Sequence, residues 1–506
     1  MTRPRGKVIL CGAGPGDPEL VSLKAVRRLG EADLVLYDAL VHPRILEHAP
    51  NAVHEFVGKR AGRPSERQDR INARMVEAAR AGQVVVRLKG GDPYLFGRGS
   101  EEAEYLAAHD VPFEVVPGIP SPLAATAYAG ISLTHRTRSS SVLYLTATES
   151  PEKDRSSHDW AKLATGPETL VIFMGMRKLP ALMQLLIDHG RSPETPAAVV
   201  QHASLPKQRC VVGTVATIGA LARDAGIGLP ALTIVGDVVS LRDSLRWYDD
   251  QPLFGKRVLV TRPAHQSDDL ARMLREEGAE AIMAPAIRIV GPEDPAPLRE
   301  AVARMGYDWV VLTSANGVSA LFDEIARQGK DARVLGHAKV CAIGPATRDA
   351  LAAHGVIADV MPDEYRGEGA ALAVLGASDP KGLRVLIPRA EVAREALPDL
   401  LREAGAEVDV VPAYRTVGAT EDDAIAIRDA IHRKLVDVVT FTSPSTVREV
   451  AAALGEHADA LNEGFTIACI GPITADAAKA RGWPVHVVPA DYTSVGLVDA
   501  LREAFA

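Results

Sequence analysis

Apolar runs that stop on glycine recur along the first half of the chain. Residues 8–11 (Val-Ile-Leu-Cys) run straight into Gly12-Ala13-Gly14-Pro15-Gly16. A run apolar at every position predicts a strand covered on both faces, as in a parallel sheet. Leu23, Val26 and Leu29 then recur at helical spacing between Ser22 and Gly30. The same grammar returns where residues 84–88 meet Lys89-Gly90-Gly91-Asp92-Pro93, and where residues 113–116 meet Pro117-Gly118-Ile119-Pro120. It returns again at residues 170–174 before Gly175, and at residues 231–235 before Gly236. Five such ends predict one crevice along the carboxyl edge of a shared sheet. The first loop departs from the dinucleotide fingerprint G-x-G-x-x-G, because Gly16 comes one residue early and Pro15 and Pro18 stiffen it. A rigid loop receiving a nucleoside without phosphates fits better, with a plain strand-to-helix turn as the alternative.

The second half repeats itself. Val258-Leu-Val-Thr-Arg-Pro263 returns 127 residues on as Val385-Leu-Ile-Pro-Arg-Ala390 (258 to 385). Ala342-Ile-Gly-Pro-Ala-Thr347 returns as Cys469-Ile-Gly-Pro-Ile-Thr474 and Tyr365 as Tyr492, at the same offset (342 to 469, 365 to 492). Thr313-Ser314 returns as Thr442-Ser443, 129 on (313 to 442). That period is far longer than a solenoid repeat and predicts two copies of one α/β unit facing across a cleft. Each copy places Thr-Ser after a strand and Gly-Pro-x-Thr after another. Helix capping explains any one such hydroxyl. Their pairing across copies would instead ring a cleft with hydroxyls and helix-start N–H groups, which suit carboxylates.

Length and charge narrow the picture. A chain of 506 residues predicts several domains. A net charge of −8 argues against nucleic acid as a partner and leaves anion recognition to local basic clusters. Such clusters occur at Lys59-Arg60, at Arg63, Arg67, Arg70 and Arg74, and at Arg136 and Arg138. The helical spacing of the middle set also fits a solvated face, whereas the loop arginines suit a polycarboxylate. The four cysteines, Cys11, Cys210, Cys341 and Cys469, show no metal or redox spacing, so no metal and a reducing cytoplasm are expected. No apolar run is long enough to span a bilayer.

Several motifs are specific enough to carry a family resemblance. Gly12-Ala-Gly-Pro-Gly-Asp-Pro-Glu-Leu20, Leu36-Tyr37-Asp38-Ala39-Leu40-Val41, Val57-Gly58-Lys59-Arg60, Arg87-Leu-Lys-Gly-Gly-Asp-Pro-Tyr-Leu-Phe-Gly-Arg-Gly99 and Val116-Pro-Gly-Ile119 resemble uroporphyrinogen-III C-methyltransferase. Ala129-Gly-Ile-Ser-Leu-Thr-His-Arg136 and Pro230-Ala-Leu-Thr-Ile-Val-Gly236 extend the match across residues 6 to 248. The resemblance implies a two-lobed α/β methylase fold, a homodimer, and S-adenosylmethionine as donor for methylating uroporphyrinogen III at two carbons to precorrin-2. It implies Pro15, Gly90, Gly91, Asp92, Leu95, Pro120, Ser121, Met174, Ala203 and Ala231 around the donor, with Arg136 on the substrate. It also implies Asp38 as proton acceptor and Lys59 as proton donor. Read without it, Asp38 is a helix-cap or turn residue. Two positions depart from the family pattern: Pro120 replaces a residue that can carry a hydroxyl, and Leu145-Thr146-Ala147-Thr148 replaces Val-Thr-Gly-His.

The duplicated half, with Ala413-Tyr-Arg-Thr416 and Asp491-Tyr-Thr-Ser-Val-Gly-Leu497, resembles uroporphyrinogen-III synthase over residues 255 to 506. That implies two similar α/β lobes joined by a β-ladder, residues 256–285 with 416–506, and residues 290–412. It implies cofactor-free closure of hydroxymethylbilane with inversion of ring D. Ser314, Thr347, Ser443 and Thr474 would contact substrate, and Tyr414 would handle a proton or else serve the crossover ladder. The expected organisation is a methyltransferase over 1–248, a linker over 249–255 and a synthase over 256–506, in a cytoplasmic bifunctional enzyme of the sirohaem or cobalamin branch. The alternatives are an active methyltransferase whose second half only binds tetrapyrrole, a non-catalytic tetrapyrrole sensor, and a methylase of a later corrin intermediate.

Overall fold

Val8, Ile9, Leu10 and Cys11 are fully buried because the strand they form lies inside a parallel sheet with helices on both faces. A computed structural model describes residues 6–58, 68–148, 157–393 and 395–506, without the side chains of 264–266. It divides into two compact units. One takes the chain up to Arg257 and includes Leu274–Glu280 and Arg502–Ala506; the other comprises Val258–Met273 and Ala281–Leu501.

The first unit opens with β1 (Lys7–Gly12), β2 (Leu34–Tyr37), β3 (Val53–Phe56), β4 (Val84–Lys89) and β5 (Phe113–Val116), in the order β3-β2-β4-β1-β5. All pairings are parallel, with Ile9 beside Val86 and Leu10 beside Val115. Alternate residues serve opposite faces, as strand geometry requires. Val8, Leu10, Leu36 and Val85 pack with Met75 of the helix Gln68–Arg80, while Ile9, Cys11, Val35 and Val86 pack with Ala25 and Leu29 of the helix Leu23–Gly30. Burial of each such aliphatic chain stabilises by roughly 1.5–3 kcal/mol. Burial also pushes the Cys11 thiol up to about 12, with Glu114 adding to the effect, so Cys11 behaves as a core residue.

A second sheet follows: β6 (Val142–Thr146), β7 (Thr169–Phe173), β8 (Pro196–Gln201), β9 (Arg209–Thr214) and β10 (Ala231–Val235), ordered β6-β7-β10-β8-β9. Here only β6 and β7 run parallel; β10 is antiparallel to both neighbours. This corrects the expectation of five glycine-ended strands at one edge. Three of them, β1, β4 and β5, share an edge in the first sheet. The ends of β7 and β10 point opposite ways in the second, because β10 returns between two strands of reversed direction.

In the second unit β11 (Arg257–Val260), β12 (Glu280–Met283), β18 (Val438–Phe441) and β19 (Thr466–Cys469) form a sheet ordered β12-β11-β18-β19. The other sheet is β13-β17-β16-β14-β15, from β13 (Ile287–Val290), β14 (Trp309–Leu312), β15 (Lys339–Ala342), β16 (Arg384–Ala390) and β17 (Glu407–Gly418). The repeat becomes visible as parallel neighbours, β11-β18-β19 in one lobe and β16-β14-β15 in the other. The isolated bridges Cys341–Val360 and Ala468–Val487 keep the 127-residue offset (341 to 468, 360 to 487). The chain leaves one lobe through β13 and returns through β17, and these two pair antiparallel from Ile287–Gly418 to Val290–Arg415. Phe441 and Trp483 anchor one lobe's core, Trp309 and Leu312 the other's.

Candidate active sites

At the carboxyl edge of the first sheet three loops cross with almost no room between backbones. Gly14 and Gly91 exchange hydrogen bonds, Gly91 N donating to Gly14 O at 2.6 Å and Gly14 N to Gly91 O at 3.3 Å. A Cβ on Gly118 would lie 2.1 Å from Gly91 O and 2.8 Å from Gly12 Cα. Glycine is therefore required here by backbone against backbone. Asp92 locks the crossing, its Oδ2 accepting from Gly118 N at 3.0 Å and its Oδ1 from Tyr94 N at 2.8 Å. Pro120 and Ser121, at the start of the helix Ser121–Tyr128, border Gly91, whose missing Cβ would meet nothing closer than Ser121 N at 3.7 Å.

Asp38 leaves β2 on this same edge. Its Oδ1 accepts from Leu40 N at 3.0 Å, which is the turn role, while its Oδ2 lies 3.9 Å from Arg87 Nη2. Arg87 is fixed by Leu36 O, Leu88 O and Glu102 Oε1. Glu102 is fully buried, and its Oε1 also accepts from Lys89 Nζ at 3.1 Å and Gln68 Nε2 at 3.0 Å. Burial, then the Arg87 charge, holds the Lys89 ammonium below its ordinary value, and Glu102 opposes the shift. Lys59 lies outside the described residues, as do Arg60, Arg63 and Arg67.

The second sheet brings its own residues to one edge. Gln201 pairs with Ala231, so Ala203, just beyond β8, lies beside the start of β10. Thr233 pairs with Ile172, and the antiparallel register brings the same end of β10 to the exit of β7, where Met174 stands half exposed. This edge meets the glycine-proline loop: Asp17 N donates to Ser204 Oγ at 3.0 Å, and a Cβ on Gly16 would sit 3.0 Å from Ala203 O. The Phe96 and Phe173 rings, 4.8 Å apart, join the loop after Leu95 to the end of β7. Phe96, Arg98, Met174, His202 and Ser204 all carry left-handed φ between 50° and 64°, an unfavourable conformation for side-chain-bearing residues that concentrates at functional sites.

In the second unit Ser314 caps the helix Ala315–Arg327 through Gly317 N, and its Oγ lies 3.0 Å from the Tyr414 hydroxyl. Tyr414 stands where β17 leaves β16 for β13, at a break in register, and its carbonyl accepts from Glu391 N. Ser443 caps the helix Pro444–Leu454 in a capping box with Thr446. Thr347 and Thr474 are buried in the first turns of their helices. Tyr365 and Tyr492 lie over Gly344 and Gly471, where a Cβ would sit 3.3 and 3.2 Å from the ring, leaving both rings more than half exposed. A cavity in this unit is lined by Thr313, Tyr365, Arg366, Arg389 and, from the other lobe, Ile473. Arg389 is buried and paired with Glu395.

A family model described as Tetrapyrrole (Corrin/Porphyrin) Methylases matches residues 7–219, and one described as Uroporphyrinogen-III synthase HemD matches residues 268–499. The porphyrin biosynthesis protein HemD of Ruminiclostridium josui is 37% identical over 503 residues, covering 98% of each chain. The chain belongs to the family of tetrapyrrole methylases fused to a uroporphyrinogen-III synthase. It is an enzyme of tetrapyrrole biosynthesis with a methyltransferase and a synthase portion. The S-adenosyl-L-methionine-dependent uroporphyrinogen III methyltransferase of Methanosarcina barkeri is 48% identical over 241 residues, 47% of this chain and 94% of that one. A solved uroporphyrin-III C-methyl transferase from Thermus thermophilus, in complex with S-adenyl homocysteine, is 40% identical over 47% of this chain and all of that one, with a TM-score of 0.41.

In the methylase portion, the sequence picked out the loops of Pro15, of Gly90, Gly91 and Asp92, and of Pro120 and Ser121, and the fold gathers these at one edge. Met174, Ala203 and Ala231 gather at the other. Arg136 is exposed in the loop after the first sheet's last helix, apart from the glycine crossing in sequence. Sequence reasoning missed Glu102, Tyr128 and Ser204. Glu102 shares its helix, Gly99–Ala108, with Glu101 and Glu104, and only its burial sets it apart. In the synthase portion both serines cap helices, with Ser314 also meeting Tyr414. No group of three or more His, Cys, Asp or Glu among the described residues is placed to hold a metal ion. No helix among them is long and apolar enough to cross a membrane.

Proposed function

We propose that the chain closes hydroxymethylbilane to uroporphyrinogen III with inversion of ring D, and methylates that product at two carbons to precorrin-2. The methyltransferase would occupy residues 1–248 and the synthase 256–506, joined by 249–255, in a cytoplasmic homodimer of the sirohaem or cobalamin branch. The observation that carries the reading is Asp38 at the same sheet edge as the interlocked Gly12, Gly91 and Gly118 backbones. S-adenosylmethionine supplies a methyl already activated as a sulfonium. The donor site fits such a group: Pro15, Leu95, Met174, Ala203 and Ala231 are apolar, and Gly91 brings bare backbone to the edge beside Pro120 and Ser121. The protein's task is then mainly alignment of the donor with an electron-rich pyrrole carbon. Asp38 Oδ2, 3.9 Å from Arg87 Nη2, takes the ring proton released after transfer. Lys59 is the proton donor and Arg136 a partner for substrate carboxylates. In the synthase portion Tyr414, oriented by Ser314, assists loss of the bilane hydroxyl.

A second reading, in which the carboxy-terminal half binds tetrapyrrole without closing it, draws support from the burial of Thr347 and Thr474 and the capping role of Ser443. Incubation with hydroxymethylbilane and labelled S-adenosylmethionine separates the two. The first reading expects labelled precorrin-2 from the bilane alone. The second expects label only when uroporphyrinogen III is added. Asp38→Ala is expected to abolish labelling while uroporphyrinogen III still forms; loss of both activities together would refute independent sites.

A further inference from the structure

The stretch from Arg242 to Phe254, which runs into the expected linker 249–255, packs within the first unit. The Arg242 guanidinium pairs with Asp249 and donates to Ala129 O, and Trp247 Nε1 donates to Ala127 O at 2.9 Å. The backbone crosses so closely at Gly130 that a Cβ there would sit 2.6 Å from Arg246 N. Tyr248 is buried, edge-on to Tyr128 with centroids 4.8 Å apart, and Phe254 stands 5.3 Å from Tyr248 on its other side. The Tyr128 hydroxyl reaches beyond this stack to Asp17 Oδ2 at 3.2 Å. Asp17 is the residue whose N–H meets Ser204 and whose Oδ1 caps the turn after Pro18. Gln208 holds the Tyr128 carbonyl from the second sheet's side at 3.1 Å.

We propose that this aromatic stack is a strut for the methyl-donor site, with Tyr128 and Tyr248 as positioning residues that hold the Gly14-Pro15-Gly16-Asp17 loop against Ser204. It rests on the reading that this loop borders the donor. Asp17 has three tasks: its carboxylate caps its own turn through Oδ1 and takes the Tyr128 hydroxyl through Oδ2, while its backbone N–H docks to Ser204 of the second sheet. Burial, then the Asp17 charge, pushes the Tyr128 phenol well above its ordinary value, which favours the protonated form that donates to Asp17. Tyr248 contributes mainly its ring, packed on both Tyr128 and Phe254, with its hydroxyl donating a long 3.5 Å hydrogen bond to Ser204 O, and so ties the loop to a stretch that no donor contact would require. A rigid loop binds a donor without first being ordered, which is where the affinity comes from.

The test uses the full chain, with S-adenosylhomocysteine as the binding probe by titration calorimetry and methyl transfer at varied donor concentration. Tyr128→Phe removes only the hydroxyl, and Tyr248→Ala removes the wedge. Each is expected to weaken the probe by ~10-fold, the scale of one hydrogen bond to a charged group. KM for the donor should rise in step while kcat moves less. Tyr248→Phe, which keeps the ring, should restore binding to within ~2-fold of wild type. Unchanged affinity in Tyr128→Phe and Tyr248→Ala overturns the strut. Weakening by Tyr248→Phe as large as by Tyr248→Ala overturns the wedge role of Tyr248. Failure of the wild-type chain to bind the probe overturns the donor-site reading itself, a different result.

Discussion

Replacing Glu102 by glutamine removes one negative charge from beneath this sheet edge and puts an NH2 group where the buried Oε2 has no hydrogen-bond partner. Glu102 is fully buried, Arg87 and Lys89 are each 4% exposed, and all of Glu102's hydrogen bonds to them run to Oε1. A glutamine oxygen can accept from Arg87, Lys89 and Gln68 as the carboxylate does, so the hydrogen bonds survive and the charge balance does not. Breaking a buried ion pair by removing one partner costs ~3–5 kcal/mol, and the retained acceptor lowers the expectation to ~2–4 kcal/mol. The two units need not unfold together, so the loss is read on the first unit alone, from hydrogen exchange of β1 and β4 amides in a urea series. The pH dependence has a definite sign. Burial first, then Arg87, lowers the Lys89 pKa from 10.5 in the folded chain, and loss of the Glu102 charge lowers it further. Between the folded and unfolded values the unfolded chain binds more protons, so stability contributed at Lys89 rises with pH across that window. The deficit of Glu102→Gln relative to wild type is therefore largest near neutrality and shrinks as pH approaches 10.5. A loss below ~1 kcal/mol, or a deficit flat in pH, would refute the picture of two cations balanced by one desolvated carboxylate.

Two further outcomes follow from the same geometry. Gly118→Ala should destabilise the first unit by more than ~3 kcal/mol, since a Cβ 2.1 Å from Gly91 O forces the loops apart; an alanine variant with wild-type melting would show that the crossing yields freely. Tyr414→Phe should slow ring closure ~10-fold or more with methyl transfer from uroporphyrinogen III unaltered, and an unchanged closure rate would leave Tyr414 as the bulge residue of its ladder.

Much of the site was legible because its chemistry is local. The glycines at 12, 14, 90, 91 and 118 announced close approach of backbone, and the structure supplies what approaches: Gly12 and Gly118 meet each other and Gly91, Gly14 meets Leu20 O, and Gly90 meets Leu40. The duplication at 127 residues was equally legible and emerges as matching strand triplets. The partition of strands was not. Apolar runs 170–174 and 231–235 read alike, yet one belongs to a parallel pair and the other runs back between antiparallel neighbours. A buried strand is apolar in either direction, so composition carries no sign of direction. The hydroxyls after the synthase strands were legible as polar and ambiguous in role, and capping took Ser443 while Tyr414 drew Ser314 into a second bond.

By itself, then, the chain's order of residues determined the elements, the family and the loops where chemistry gathers, since these depend on neighbours a few positions apart. Tertiary structure alone decided which loops cross, that Glu102 balances Arg87 and Lys89, and that Tyr248 reaches Asp17 through Tyr128. Those depend on residues 13 to 120 positions apart meeting in buried or half-buried places, where packing turns an ordinary acid or phenol into a fixed part of the site.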